Sequence, residues 1–161
     1  MALVVGHNSM NLTRILQQKC VKVPLENTDK DSVIAELVDL LDENNLLGDR
    51  DAVLEAIMLR EKTRSTGIGS GIAIPHGKCK AVNELVMAFG ITKEPIDFAS
   101  VDGNPVKIVI LLVSPADQTG PHIQALAKIS KLMLNEQFKQ TIENSESSEQ
   151  LYELLRKEEK E

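Results

Sequence analysis

Tryptophan is missing from this chain, and the flat side chains that remain are three phenylalanines and one tyrosine (Phe89, Phe98, Phe138 and Tyr152). Nucleobases and other flat ligands therefore find almost no stacking platform, and the core has to be aliphatic. Positive charge is also in deficit, since 18 Lys and Arg against 24 Asp and Glu leave a formal charge of −6. An acidic chain lacks the attraction that carries non-specific nucleic-acid binding, so no nucleic-acid partner is expected. Cysteine is scarce: Cys20 and Cys79 form no C-x-x-C pair and no zinc-type Cys/His spacing. That argues against a disulfide scaffold or a locally encoded metal site and leaves two reduced thiols in a cytoplasmic protein as the expectation. Long hydrophobic runs are absent too. The longest, Ile108 to Val113, falls far short of the ~20 residues of a membrane helix. The start also lacks the charged-then-apolar order of a signal peptide, so the chain is not expected in the membrane.

What is present fits a single globular domain. The chain has 161 residues, 42% of them hydrophobic and 26% charged, within the ~100–200 residues usual for one domain and outside the composition of disorder. Residues 1–9 precede a second methionine, Met10, and read as a leader or extension, with the domain over 10–161.

Along the chain, a helical turn from Asn11 leads into a strand at Cys20–Val23 that is expected to end at Pro24. Val33, Ile34, Leu37, Leu40 and Leu41 have the spacing of an amphipathic helix over Asp31–Leu47, closed by Gly48. A second helix over Asp51–Lys62 places Ala52, Val53, Ala56, Ile57 and Leu59 on its inner side. The stretch Ser65–Gly71 is too rich in glycine for regular structure and feeds a short strand, Ile72–Ile74, followed by a tight exposed turn at Pro75-His76-Gly77. Leu85–Thr92 and Lys107–Ser114 read as mid-sheet strands buried on both faces, with a turn at Asp102-Gly103 between them. Gly120-Pro121 opens a long helix, with Pro121 at its first position, His122 in its first turn, and Ile123, Leu126, Ile129 and Met133 at helical spacing. Ser147 and Gln150 make a capping box for a last helix. Helices and strands interleave, so the fold class is α/β, a mixed sheet flanked by helices.

Several chemical readings fail on spacing. The glycine-rich stretch lacks the third glycine of a dinucleotide fingerprint, with Ile72 in its place, and a Walker loop would need Ser or Thr where Cys79 follows Lys78. Asp42-Glu43-Asn44-Asn45 resembles a calcium loop, but Leu46 and Leu47 occupy a ligand position and the required glycine. No metal and no cofactor are expected. Cys79 lies three residues after His76 and admits a nucleophile pair, although no oxyanion donors accompany it.

His76 remains. A histidine near a turn is ordinary in itself, but this one stands between Pro75, which fixes its own φ, and Gly77, which has no side chain to crowd an approaching group. The imidazole is presented at a strand end, where a neutral ring near pH 7 is nucleophilic at one nitrogen while a hydrogen bond at the other sets the tautomer.

These residues resemble the enzyme IIA domains of the bacterial sugar phosphotransferase system, in the fructose/mannitol and nitrogen-regulatory branch. The resemblance rests on Leu59-Arg60-Glu61, then Ser65-Thr66-Gly67-Ile68-Gly69, then Gly71-Ile72-Ala73-Ile74-Pro75-His76-Gly77, and later on Pro115-Ala116 with His122-Ile123 opening a helix. It implies that His76 is a phosphoacceptor, phosphorylated on Nε2 with Nδ1 held by a backbone carbonyl. It implies that Arg60 and His122 line that site, and that the phosphoryl group comes from an HPr-like phosphocarrier and goes to a cysteine of an enzyme IIB. A regulatory module that binds target proteins according to its phosphorylation state is the alternative output, and a Cys79-dependent hydrolase is a third reading.

Elementary chemistry makes the same roles sensible. Phosphoryl transfer asks for positioning and charge stabilisation. Arg60 offers a planar fork, and one charge pair at about 4 Å is worth roughly 4 kcal/mol at an effective dielectric near 20. His122, at a helix N-terminus that disfavours imidazolium, is expected to be neutral and to donate one hydrogen bond to a phosphoryl oxygen. The plainer readings make Arg60 a helix-end cation and His122 a first-turn residue. Thr66 is placed with Arg60 and His122 as a phosphate-binding residue; for Thr66 and Ser65 alike, the alternative is that the hydroxyl only shapes the turn. Arg64 reads as solvated. A docking surface should surround His76 and be apolar with a polar edge, and Ile68, Ile72 and Ile74 are its candidates, although alternate strand residues point inward and some of the three must be core.

Overall fold

The computed structural model describes residues 11–160; the expected leader at 1–9 lies outside them. After a short helix α1 (Leu12–Ile15), the chain forms β1 (Val21–Leu25), α2 (Lys30–Glu43), α3 (Arg50–Thr63) and three short strands, β2 (Gly67–Gly69), β3 (Ile72–Ala73) and β4 (His76–Lys78). Two long strands follow, β5 (Val86–Ile96) and β6 (Val106–Ser114), and then α4 (Thr119–Met133), α5 (Glu136–Glu143) and α6 (Ser148–Lys160). The sheet order is β1-β5-β6-β3-β2, with β4 also paired to β6. The β5–β6 and β2–β3 pairs are antiparallel and the others parallel. This is the mixed α/β sheet expected, with helices packed on it. The two apolar runs hold its centre, and every residue from Ile108 to Ser114 is buried.

The differences from expectation have local causes. Pro24 does not stop β1, which runs to Leu25; β1 lies at the sheet edge, where a missing N–H leaves no ladder bond unmade. Helix α2 ends at Glu43 rather than Leu47. Asn45 takes φ 61° there, its N–H bonding Asp42 O and that of Leu46 bonding Leu41 O. That is a Schellman closure with asparagine doing the work usually given to glycine. Gly48 instead donates its N–H to Ala81 O. The glycine-rich stretch is not irregular: β2 and β3 form a hairpin around Ser70-Gly71, both at positive φ (58° and 79°), the pair of conformations a two-residue turn of this hand demands. Pro121 is the third residue of α4, not the first, a position whose N–H is equally without an intrahelical acceptor. Asn135 caps a further helix, α5, through Phe138 N–H. At α6 the cap is as expected, with Gln150 N–H donating to Ser147 Oγ, and Gln150 Oε1 accepts from Glu146 N–H.

Gly90 shows how closely the edge strand is packed. A Cβ at this position would lie 2.7 Å from three side-chain atoms of fully buried Leu25. Overpacking of this kind costs about 1–3 kcal/mol. Gly90→Ala is therefore expected to lower stability by about 2 kcal/mol, read as a lower urea midpoint at unchanged m-value.

Candidate functional site

Strands β3 and β4 run along the same side of β6, Ile72 opposite Ile108 and His76 opposite Leu112. They are one strand broken at Ile74-Pro75, where proline has no N–H for the ladder. The break leaves the Ile74 carbonyl to the His76 ring, with Nδ1 at 2.7 Å from Ile74 O. A carbonyl only accepts, so Nδ1 carries the proton and Nε2 keeps its lone pair. His76 is thus a half-buried strand residue rather than the tip of an exposed turn.

The cleft in front of His76 has a volume of about 600 Å³ and is lined by Leu59, Arg60, His76, Lys78, His122 and Leu126, among others. The two imidazoles face each other with centroids 5.3 Å apart and planes tilted by 58°. His122 is 6% exposed, and its Nδ1 lies 2.6 Å from Ser114 Oγ. Arg60 comes from the last turn of α3, where it is held by a bond from Nη1 to Arg64 O at 2.8 Å. Three residues distant in sequence thereby line one cleft.

Burial first, and Arg60 next among the lowering influences, holds His76 below the usual histidine range, against the bond to Ile74 O, which favours its protonated form. His122 is pulled down to about 4, by burial foremost and then by His76 and Lys78. Both rings are neutral at pH 7. A histidine whose folded value lies below its unfolded one, near 6.5, adds stability above that pH and loses it as pH falls towards the folded value. The urea midpoint should therefore fall between pH 6.5 and about 4, with a shallower fall in His122→Asn, measured by equilibrium unfolding at several pH values.

Thr66 does not join the cleft. It is buried, and its Oγ1 and N–H both donate to Glu61, at 2.7 and 2.8 Å. Glu61, buried in α3, also pairs with Lys30 at 2.9 Å, whose ammonium stands over the Phe98 ring. The Ser65 hydroxyl donates to Phe98 O. These hydroxyls shape the loop after α3, and neither reaches His76. Cys79 is also absent from the lining, its sulfur accepting from Ala81 N–H. Among the described residues no group of three or more His, Cys, Asp or Glu side chains is placed to hold a metal, and no helix is long and apolar enough to cross a membrane.

Gly77 serves a different purpose from the one expected. It is buried, and a Cβ there would meet Ile57 Cδ1 at 3.1 Å, so its bareness admits α3, the helix that carries Arg60. Of the three rim candidates, Ile72 and Ile74 are core residues and Ile68 is 48% exposed, while Leu59, expected on the inner side of its helix, is 67% exposed and lines the cleft. Lys78 is a further lining residue, beyond those the motif spacing singles out. It reaches Thr119 Oγ1 at 2.9 Å, and its position two residues after His76 on a strand is the signal that would have found it.

Residues 14–158 match the family model for the phosphoenolpyruvate-dependent sugar phosphotransferase system, EIIA 2. The chain belongs to this family. The PTS system fructose-specific EIIABC component of Bacillus subtilis (strain 168) is 35% identical to this EIIA chain over 151 residues, or 94% of it, while the chain spans only 24% of that relative's length. Nitrogen regulatory protein IIA-Ntr from Neisseria meningitidis superposes with a TM-score of 0.81 at 31% identity, over 89% of this chain and 98% of that one. The enzyme IIA of the Escherichia coli mannitol system, solved in complex with its phosphorylated enzyme IIB, superposes with a TM-score of 0.74 at 19% identity, over 88% of this chain and 96% of that one, a likeness of fold alone.

Proposed function

We propose that this EIIA chain carries a phosphoryl group on Nε2 of His76, taking it from an HPr-like phosphocarrier and passing it to a cysteine of an enzyme IIB. The observation that carries this reading is the bond from Nδ1 to Ile74 O, which leaves one unprotonated ring nitrogen at a cleft that also holds Arg60 and His122. On arrival, the Nε2 lone pair forms the bond to phosphorus as the bond to the donor's nitrogen breaks, and the donor keeps that electron pair. The His76 ring retains its Nδ1 proton and becomes cationic, and the Ile74 carbonyl favours that charged form. On departure, a thiolate attacks phosphorus, the Nε2–P bond breaks, and neutral His76 is restored. Arg60 supplies charge for the equatorial oxygens, and His122 one donor. The complex of the mannitol IIA with phosphorylated IIB supports the choice of acceptor by analogy of fold.

Incubation with phosphoenolpyruvate, enzyme I and the phosphocarrier, followed by intact-mass analysis and peptide mapping, is expected to show one acid-labile phosphate on the peptide holding His76. Phosphate on another peptide, or none, would overturn the reading.

A second output has support of its own, since the likeness to IIA-Ntr covers nearly the whole of that chain. In it, phosphate on His76 governs binding of a target protein instead of onward transfer. Pull-downs with the unphosphorylated protein and with His76→Asp separate the two, and a partner held by only one form supports regulation.

A further inference from the structure

We propose that Ser114 is the positioning residue that sets His122 as the Nε2–H tautomer, so that the two facing histidines present opposite chemistry, a bare nitrogen on His76 and a hydrogen-bond donor on His122. Its part in transfer rests on the reading of His76 as phosphoacceptor.

Counting donors decides which nitrogen of His122 is protonated. Ser114 is fully buried at the end of β6, and its hydroxyl meets Nδ1 of His122 at 2.6 Å with no other side-chain or backbone partner among the described residues. Two arrangements are open. If Nδ1–H donated to Oγ, the hydroxyl proton would be left buried without an acceptor, and orphaned donors are the rarer and costlier case. If the hydroxyl donates to a bare Nδ1, the only groups unmatched are oxygen lone pairs, which are tolerated better. The second arrangement wins, and it places the His122 proton on Nε2.

His76 is set the other way by a group of opposite character. Ile74 offers a carbonyl, which can only accept, so His76 keeps its proton on Nδ1. A donor-only histidine face is of use beside a phosphoryl oxygen, whereas a second bare nitrogen would repel it. Ser114 also links the two histidine-bearing elements, beside the bond from Lys78 to Thr119. Its backbone pairs with Lys78 on β4, and its carbonyl accepts from Cys79 N–H at 2.9 Å, while its side chain grips α4. The spacing between the rings is thereby tied to the register of the sheet.

The test is long-range proton–nitrogen NMR on the unphosphorylated, 15N-labelled protein at pH 7.5. The expected spectrum shows His122 protonated on Nε2 and bare on Nδ1, with His76 the reverse. A protonated Nδ1 on His122 in the wild type would overturn the proposal without any variant having to fold. In Ser114→Ala the Nδ1 resonance of His122 should move towards that of a nitrogen accepting no hydrogen bond, while the His76 pattern stays. The rate of phosphoryl acceptance should fall about 10-fold with the Kd of the unphosphorylated phosphocarrier unchanged, and Ser114→Thr, which keeps the hydroxyl, should restore resonance and rate together. An unmoved resonance in Ser114→Ala, or an unmoved rate, would sink the role. Failure of wild-type His76 to take phosphate would remove the role in transfer alone, because the tautomer is read without phosphate.

Discussion

His76→Gln is expected to leave a folded chain that takes up no acid-labile phosphate, where the wild type takes one. Nucleophilicity at this site comes from a neutral imidazole whose far nitrogen is already occupied by Ile74 O, and a carboxamide nitrogen has no comparable lone pair. His122 is not expected to substitute, because in the tautomer proposed for it the Ser114 hydroxyl directs the ring proton, not the lone pair, to the cleft, and burial holds its basicity far down. The loss should therefore be complete rather than partial. Side-chain burial at position 76 is incomplete, so the urea midpoint should change little. Residual phosphate at the wild-type level in this variant would place the acceptor elsewhere.

Arg60→Ala should slow acceptance about 100-fold, the scale found when one preorganised donor is taken from a site of developing charge. The guanidinium arrives from the end of α3 already tied to Arg64 O, so one of its donors fixes its place while others remain for the phosphoryl oxygens. Arg60→Lys should recover only part of the rate, since an ammonium offers a point charge in place of a planar fork. Stopped-flow or quenched transfer from the phosphorylated carrier measures both variants. Rates equal to wild type would mean that Arg60 is merely a helix-end cation. Because Arg60 is among the influences holding His76 low, the same variant should also raise the pH at which His76 titrates.

The parts of this molecule that were legible in advance are those where one physical cause dominates. Ile108 to Val113 is apolar throughout and can only be a strand covered on both faces. The proline before His76 removes a ladder N–H beside β6 and separates β3 from β4. Other features depended on partners that no local pattern names. The hydroxyl of Thr66 is within reach of a carboxylate that periodicity would place on a solvated helix end, and only the packing of Lys30 over Phe98 explains why Glu61 is inside. Leu59 has the right hydrophobicity for the core but is exposed and lines the cleft, since helical spacing gives a face and not its depth. The β2–β3 hairpin was obscured because glycine and serine signal a loop, while the positive φ of Ser70 and Gly71 makes the same residues a tight reversal. Gly77 was read for what it leaves open to the outside, whereas its bareness is used by Ile57 from within.

If the role proposed for His76 holds, the carbonyl of Ile74 also governs traffic through the molecule. With Nδ1 engaged, one ring atom would be left to meet both the incoming and the outgoing carrier, and it faces the recess that Arg60 and His122 also line. Two proteins could not reach that atom at once, so the carriers would have to take turns. Throughput would then be governed by how quickly each visitor departs, and an excess of either unloaded carrier would act as a brake on the exchange.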